Sequence, residues 1–157
     1  MADTAVTIAR ARTSTLSLEE QARGFSNKFT VNYADIASGT GTTDTVTLTL
    51  GALPAKWVVN NALVNIRTAF AGVTSQALTV VVGTTTSTNT FVTSQSVFTA
   101  GVLAGVPTTA TIRTATASVS MVAVFTGATA GSPSALTAGD LDIYLNIIDV
   151  GTDPRLG

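Results

Sequence analysis

The chain has 157 residues, of which 11% are charged and 45% hydrophobic, and its formal net charge is −1. An average soluble domain carries about 25% charged residues, so uncharged side chains, chiefly about thirty threonines, must make this surface polar. Threonine is β-branched and suits a pleated strand better than a helix. The composition therefore predicts an all-β protein, and the length suits one domain with its own core.

The residue types that are missing argue against several classes of function. Without cysteine there is no disulfide framework or thiolate metal site, and without histidine the commonest general base is missing. The chain lacks the basic stripe of nucleic-acid binders, an apolar run that could span a membrane and the apolar core of a signal peptide. We expect no cofactor, no nucleic-acid partner, no membrane partner and synthesis in a cytoplasm.

Residues 1–27 differ in pattern from the rest and are predicted to form an extended N-terminal arm. Ser17 and Glu20 have the spacing of a capping box, and Gly24 fits the residue that follows a helix. The pattern predicts one short helical turn, which is stable only when it docks on something else.

Three of the eight basic residues, Arg10, Arg12 and Arg23, fall in this arm. Together with Phe25 they are candidate contacts to an acidic partner surface, to which such an arm would dock and become ordered. A solvated tail is the alternative interpretation of the same cluster.

From Lys28 onward, apolar and polar residues alternate with a period of two, which is typical of half-buried strands. A strong strand is predicted at 117–125, a short one at 91–92 and a weak one at 108–114, with a polar loop at 83–89 and a long loop of small residues at 127–139. About eight strands without crossover helices predict an antiparallel, jelly-roll-like β-sandwich over 28–150, followed by a tail at 151–157. The residues predicted to face one side of their strands are Phe29, Val31 and Tyr33; Val46, Leu48 and Leu50; Ala62, Val64 and Ile66; Leu78, Val80 and Val82; and Leu141, Ile143, Leu145 and Ile147.

Asp140 and Asp142 are the candidate chemical pair, because i and i+2 on a strand place both carboxylates on one face, about 7 Å apart. That spacing is compatible with an acid–base pair for glycoside hydrolysis or with a calcium ligand set. Neither a third strong ligand nor a group of aromatic residues accompanies them in the sequence. We therefore expect a solvated strand face rather than a structural cation site or a catalytic pair, and no enzyme.

Trp57, at the start of a predicted strand, has two interpretations. It either covers the rim of the core or anchors a contact between subunits, since tryptophan is enriched at interface hot spots.

Three runs carry a family resemblance: LGALPAKWVVNNALVNIRTAFAGVTSQALTVVVGTTTSTNTF, ATASVSMVAVF and LTAGDLDIYLNIIDV. They resemble small β-sandwich virion proteins of tailed bacteriophages, over about residues 44–150. The resemblance implies a capsid decoration (cement) or minor capsid protein, commonly a homotrimer. Such a protein binds the major capsid protein on the exterior of the virion and has no catalytic residues.

The alternative is a tail-fibre, spike or head-fibre module that presents loops 84–90 and 127–139 to a host glycan or to another virion protein. Sugar-binding surfaces usually expose aromatic rings, and these two loops contain none. This alternative therefore ranks second.

Overall fold

The computed structural model describes residues 6–8, 12–13, 15–22, 24–37, 45–73, 78–105, 117–127 and 133–149. Within these ranges the helices are α1 (Leu18–Ala22) and α2 (Tyr33–Ile36), and Pro133–Ala135 form a 3-10 turn. The strands are β1 (Val6–Ile8), β2 (Arg12–Thr13), β3 (Asn27–Asn32), β4 (Thr45–Leu53), β5 (Trp57–Ala71), β6 (Thr79–Thr84), β7 (Ser87–Ser96), β8 (Gly101–Gly105), β9 (Val119–Thr126) and β10 (Ala138–Asp149).

The strands form two five-stranded sheets. Sheet A has the order β1-β4-β9-β6-β7, and sheet B has the order β2-β3-β10-β5-β8. The described ladders are antiparallel, except that β1 runs parallel to β4. The predicted all-β sandwich is confirmed. Seven of the predicted strands correspond to β3–β7, β9 and β10, whereas β8 falls where a loop was expected, and β1 and β2 are additions from the arm.

The order of the strands follows a single rule of connection. β6 pairs with β7, β5 with β8, β4 with β9 and β3 with β10. Each strand of the second half of the sandwich therefore pairs with a strand of the first half, in reverse order. Two further ladders, β10 with β5 and β9 with β6, fold this long hairpin into two sheets. The result is a double sheet of eight strands, to which β1 and β2 add at the edges. Because of it, the first and last strands of the sandwich lie side by side in sheet B.

The core lies between the sheets and contains nearly all the side chains that the alternating pattern assigned to it. Burial of a large apolar side chain stabilises a fold by about 1.5–3 kcal/mol, so these residues dominate the stability. Ile147 is only partly buried but packs against the same cluster. The predicted residues that are buried are Phe29, Val31, Val46, Leu48, Leu50, Ala62, Val64, Ile66, Leu78, Val80, Val82, Leu141, Ile143 and Leu145.

The prediction was wrong at Tyr33, which begins α2 and is exposed. The cause is a local cap: the Asn32 side chain accepts hydrogen bonds from the N–H groups of Ala34 and Asp35, at 2.9 and 3.2 Å. Asp35 in turn accepts a hydrogen bond from the Asn32 N–H at 2.9 Å. This reciprocal cap ends the strand one residue before Tyr33.

The predicted polar loop at 83–89 was also wrong, since β6 and β7 continue through it and meet at a two-residue turn, 85–86. Threonine hydroxyls form hydrogen bonds with backbone groups next to the turn. The Thr84 hydroxyl accepts from the Ser87 N–H at 3.2 Å, and the Thr90 hydroxyl donates to the Ser87 carbonyl at 2.7 Å. The weak strand predicted at 108–114 lies outside the described residues.

The arm contributes a strand to each sheet and the one helical turn that was predicted. β1 adds to β4 at an edge of sheet A, and β2 adds to β3 at an edge of sheet B. Unpaired edge strands are templates for aggregation, so the arm occupies two edges that would otherwise be open. The turn is α1, and Gly24 follows it with a φ of +84°.

Gly139 offers a test of packing in β10. Its φ is +139°, and a Cβ there would overlap the buried Phe70 ring, whereas Gly51 has a φ of +142° with open space around it. Gly139→Ala and Gly51→Ala therefore impose similar backbone strain, but only the first also overpacks the core. We expect the free energy of unfolding to fall by about 1–3 kcal/mol more for Gly139→Ala, measured by urea denaturation. Equal losses in the two variants would contradict the role of the Phe70 contact.

Candidate functional site

The charged side chains of the strands are gathered on sheet B. The described strands of sheet A, β1, β4, β6, β7 and β9, contain no charged residue. In sheet B, β3 supplies Lys28, β5 supplies Arg67, and β10 supplies Asp140 and Asp142. Because side chains alternate across a strand, these residues stand on the outer face, opposite the core residues of the same strands.

Asp142 is the centre of this group. Its Oδ1 accepts a hydrogen bond from the Thr30 hydroxyl at 2.7 Å, and its Oδ2 lies 3.1 Å from Arg67 Nε and 3.4 Å from Lys28 Nζ. The side chain is 2% exposed. The expectation of a solvated strand face was therefore wrong for Asp142. Two cations and a hydroxyl from the flanking strands replace the water that a carboxylate otherwise needs.

Asp140 has a different environment, although it shares Arg67 with Asp142. Its Oδ1 lies 2.6 Å from Arg67 Nη2, and its side chain is 31% exposed. One guanidinium therefore holds both carboxylates, each through a different nitrogen, a geometry for which arginine is suited. The two carboxylates that suggested a chemical pair are engaged in ion pairing.

The short helix α1 joins the network through Glu20. Glu20 Oε1 accepts hydrogen bonds from the Tyr144 hydroxyl at 2.7 Å and from Lys28 Nζ at 3.0 Å. The predicted capping box is confirmed, because the Ser17 N–H donates to Glu20 Oε2 at 2.7 Å and the Glu20 N–H donates to the Ser17 hydroxyl at 3.2 Å. One side chain thus both caps the helix and attaches it to sheet B.

Aromatic contacts complete the attachment. The Phe25 ring packs against the Tyr144 ring, with centroids 5.4 Å apart, and Lys28 Nζ lies 5.2 Å from the Tyr144 centroid. The Ser26 hydroxyl also accepts a hydrogen bond from the Ile147 N–H at 2.8 Å. These contacts fix the segment between α1 and β3 against β10.

The network comprises three carboxylates (Glu20, Asp140, Asp142) and two cations (Lys28, Arg67), a net charge of −1. Hydrogen bonds from the Tyr144 hydroxyl, the Ser17 N–H and Lys28 lower the pKa of Glu20 to about 2. Partial burial lowers the pKa of Lys28, but the Glu20 and Tyr144 hydrogen bonds and the charge of Asp142 outweigh it and raise that pKa. Burial and the hydrogen bond to Glu20 raise the pKa of Tyr144. At neutral pH Glu20 and Lys28 are charged and Tyr144 keeps its proton.

Of the residues predicted to contact partners, the structure describes the side chains of Phe25 and Trp57. Arg10 and Arg23 lie outside the described residues, and the backbone of Arg12 lies opposite Thr30 in the β2–β3 ladder. Phe25 packs on Tyr144. Trp57 is half-buried against the core, as a rim residue is. Its role between subunits stays a prediction.

Sequence analysis missed Glu20, Lys28 and Arg67 as members of a site. Each stands at a polar position of its own element, and an isolated charge there indicates only a solvated face. One sequence signal could have pointed to the site: the charged residues of the long strands fall on β3, β5 and β10. Recognising that these residues lie next to one another, however, requires the order of the strands in the sheet.

In comparison with known proteins, no protein-family model, no curated protein and no solved structure matches the chain. Among the described residues, no group of three or more acidic side chains could hold a metal ion. The described helices include none long and apolar enough to cross a membrane. A function must therefore be inferred from the geometry of the charged network and the arm.

Asp140 and Asp142 provide a matched pair of variants, since both contact Arg67. Asp142→Ala leaves Lys28 and Arg67 without their buried partner, and we expect it to cost about 3–5 kcal/mol of unfolding free energy. Asp140→Ala removes a partly exposed ion pair and should cost at most about 1 kcal/mol. Urea denaturation of both variants measures the difference, and similar losses would show that Asp142 is not the centre of the network.

Glu20 predicts a specific dependence of stability on pH. Its pKa falls from an ordinary value of 4.5 to about 2 on folding, so its contribution is present above pH 4.5 and is lost as the pH falls toward 2. Other carboxylates titrate in the same range, so the comparison is between the wild type and Glu20→Gln. The wild type should lose more stability between pH 5 and pH 2 than the variant does, measured by urea midpoints. Parallel curves would contradict the assignment.

Proposed function

We propose that this chain is a structural virion protein, a decoration (cement) protein that binds and stabilises the capsid surface of a tailed bacteriophage. The observation that carries the proposal is the position of the arm. A single terminal segment adds a strand to an edge of each sheet and then attaches to the outer face of sheet B through Glu20. A segment that lies along the outside of a rigid sandwich is suited to clamp neighbouring molecules.

The side chains of this region support the same role. Leu18 on α1 is 85% exposed, and α1 contributes no buried residue. An exposed apolar side chain on a docked helix is suited to a contact with another protein. The arginines of the arm, Arg10, Arg12 and Arg23, supply the charge for an acidic partner surface.

We propose two partners, the major capsid protein and further copies of this chain, most simply in a homotrimer on the capsid exterior. Contacts that are repeated by symmetry give avidity without strong individual sites. A sandwich with an apolar core and a largely uncharged threonine surface provides a stable body for such contacts.

The test is co-sedimentation with capsid shells that lack this protein, after the mass in solution has been measured by light scattering. Arg10→Gln/Arg12→Gln/Arg23→Gln should weaken binding at least tenfold. The matched control is Lys56→Gln/Arg113→Gln/Arg155→Gln, which removes the same number of cations outside the arm and should bind like the wild type. Loss of binding in both triple variants would show that net charge matters rather than the arm.

Two results would overturn the proposal. A monomer that fails to sediment with any capsid shell would contradict the decoration role. Reproducible binding to a glycan array would favour the spike or fibre alternative instead.

A further inference from the structure

Two donors on the outer face of sheet B each face two carboxylates. The Tyr144 hydroxyl lies 2.7 Å from Glu20 Oε1 and 3.4 Å from Asp142 Oδ2. Lys28 Nζ shows the same preference, at 3.0 Å from Glu20 and 3.4 Å from Asp142. For both donors, the shorter distance is to the arm and the longer one is to the sheet.

For Tyr144 the two positions are alternatives, whereas the three N–H donors of Lys28 reach both carboxylates at once. A tyrosine hydroxyl has a single proton to donate, so Tyr144 cannot fully satisfy Glu20 and Asp142 at once. A carboxylate has about four acceptor positions, and Asp142 already uses one for Thr30 and one for Arg67. Two positions are left, which matches the two donors, Tyr144 and Lys28, that Glu20 Oε1 engages.

The attachment of α1 is otherwise slight. The helix has five residues, none of them buried, and a helix of that length is not stable alone. By contrast, Asp142 sits in the β3–β10 ladder, whose register runs from Asp140 opposite Asn32 to Leu145 opposite Asn27. The weak element is therefore α1, and the strong element is the sheet beneath it.

We infer that the Tyr144 hydroxyl, with Lys28 beside it, forms a carboxylate-binding site with two alternative occupants, Glu20 of the arm and Asp142 of the sheet. When α1 leaves, both donors turn to Asp142, so no buried donor or acceptor loses its partner and the sandwich stays folded. When α1 docks again, Tyr144 and Lys28 again donate to Glu20 Oε1. The site thus acts as a releasable attachment for the arm.

This release deepens the proposed function, on which its biological role rests. In a decoration protein, the released α1 is the segment that engages the capsid, and Asp142 keeps the donors until α1 returns. The release itself is a property of the isolated chain and can be measured without a capsid.

The experiment monitors the two lysines of the chain, Lys28 and Lys56, by NMR of their side-chain ammonium groups in the full-length protein. In Glu20→Gln the occupant from the arm is weakened, and we expect Lys28 Nζ protons to exchange with water at least tenfold more slowly than those of the exposed Lys56. Exchange as fast as at Lys56 would overturn the inference, because it would mean that Asp142 does not take the donor.

A second measurement uses hydrogen exchange of the backbone amides at 17–25. Asp142→Asn weakens the alternative acceptor, so if this variant folds, the local opening of α1 should become rarer by about threefold or more than in the wild type. Unchanged or more frequent opening would overturn the inference, and an unfolded variant leaves the Glu20→Gln result to decide. If release is observed but capsid shells are not bound, the proposed function is contradicted and the release is not.

Discussion

The ladder between β3 and β10 is the interaction on which the rest of this structure depends. It joins the first and last strands of the sandwich, closes sheet B, and places Thr30 directly opposite Asp142, 112 positions away in the chain. The charged network, the attachment of α1 and the edge to which β2 adds all require that pairing. A protein of this connectivity acquires its outer face only when the whole chain is in place.

The same ladder explains why a carboxylate is tolerated at a buried position. A buried ion pair is weak evidence for stability, because desolvation offsets much of the attraction. Its effect on register is larger. A one-residue slip of β10 would turn Asp142 into the core and Leu141 outward, and the carboxylate would then lack Arg67, Lys28 and Thr30. The network therefore favours the observed register over its nearest competitor.

The parts of the fold that depend on neighbouring residues could be predicted from the sequence, and the parts that depend on strand order could not. Alternation identified the core-facing side chains of the long strands, and the Ser17–Glu20 spacing identified α1. Tyr33 was misassigned because the Asn32 cap outweighs the alternation. The site escaped prediction because Glu20 and Tyr144 are 124 positions apart, and no local pattern joins them.

The unequal distribution of charge between the sheets affects how the molecule meets its surroundings. An electric field from a charged surface acts on the strands of sheet B and hardly on the described strands of sheet A, so it exerts a torque and turns sheet B toward or away from that surface. The described strands of sheet A carry no charged residue and can approach a neighbour closely without stripping water from an ion of their own. A single domain thus offers a salt-sensitive side that sets orientation and a salt-insensitive side suited to permanent contact.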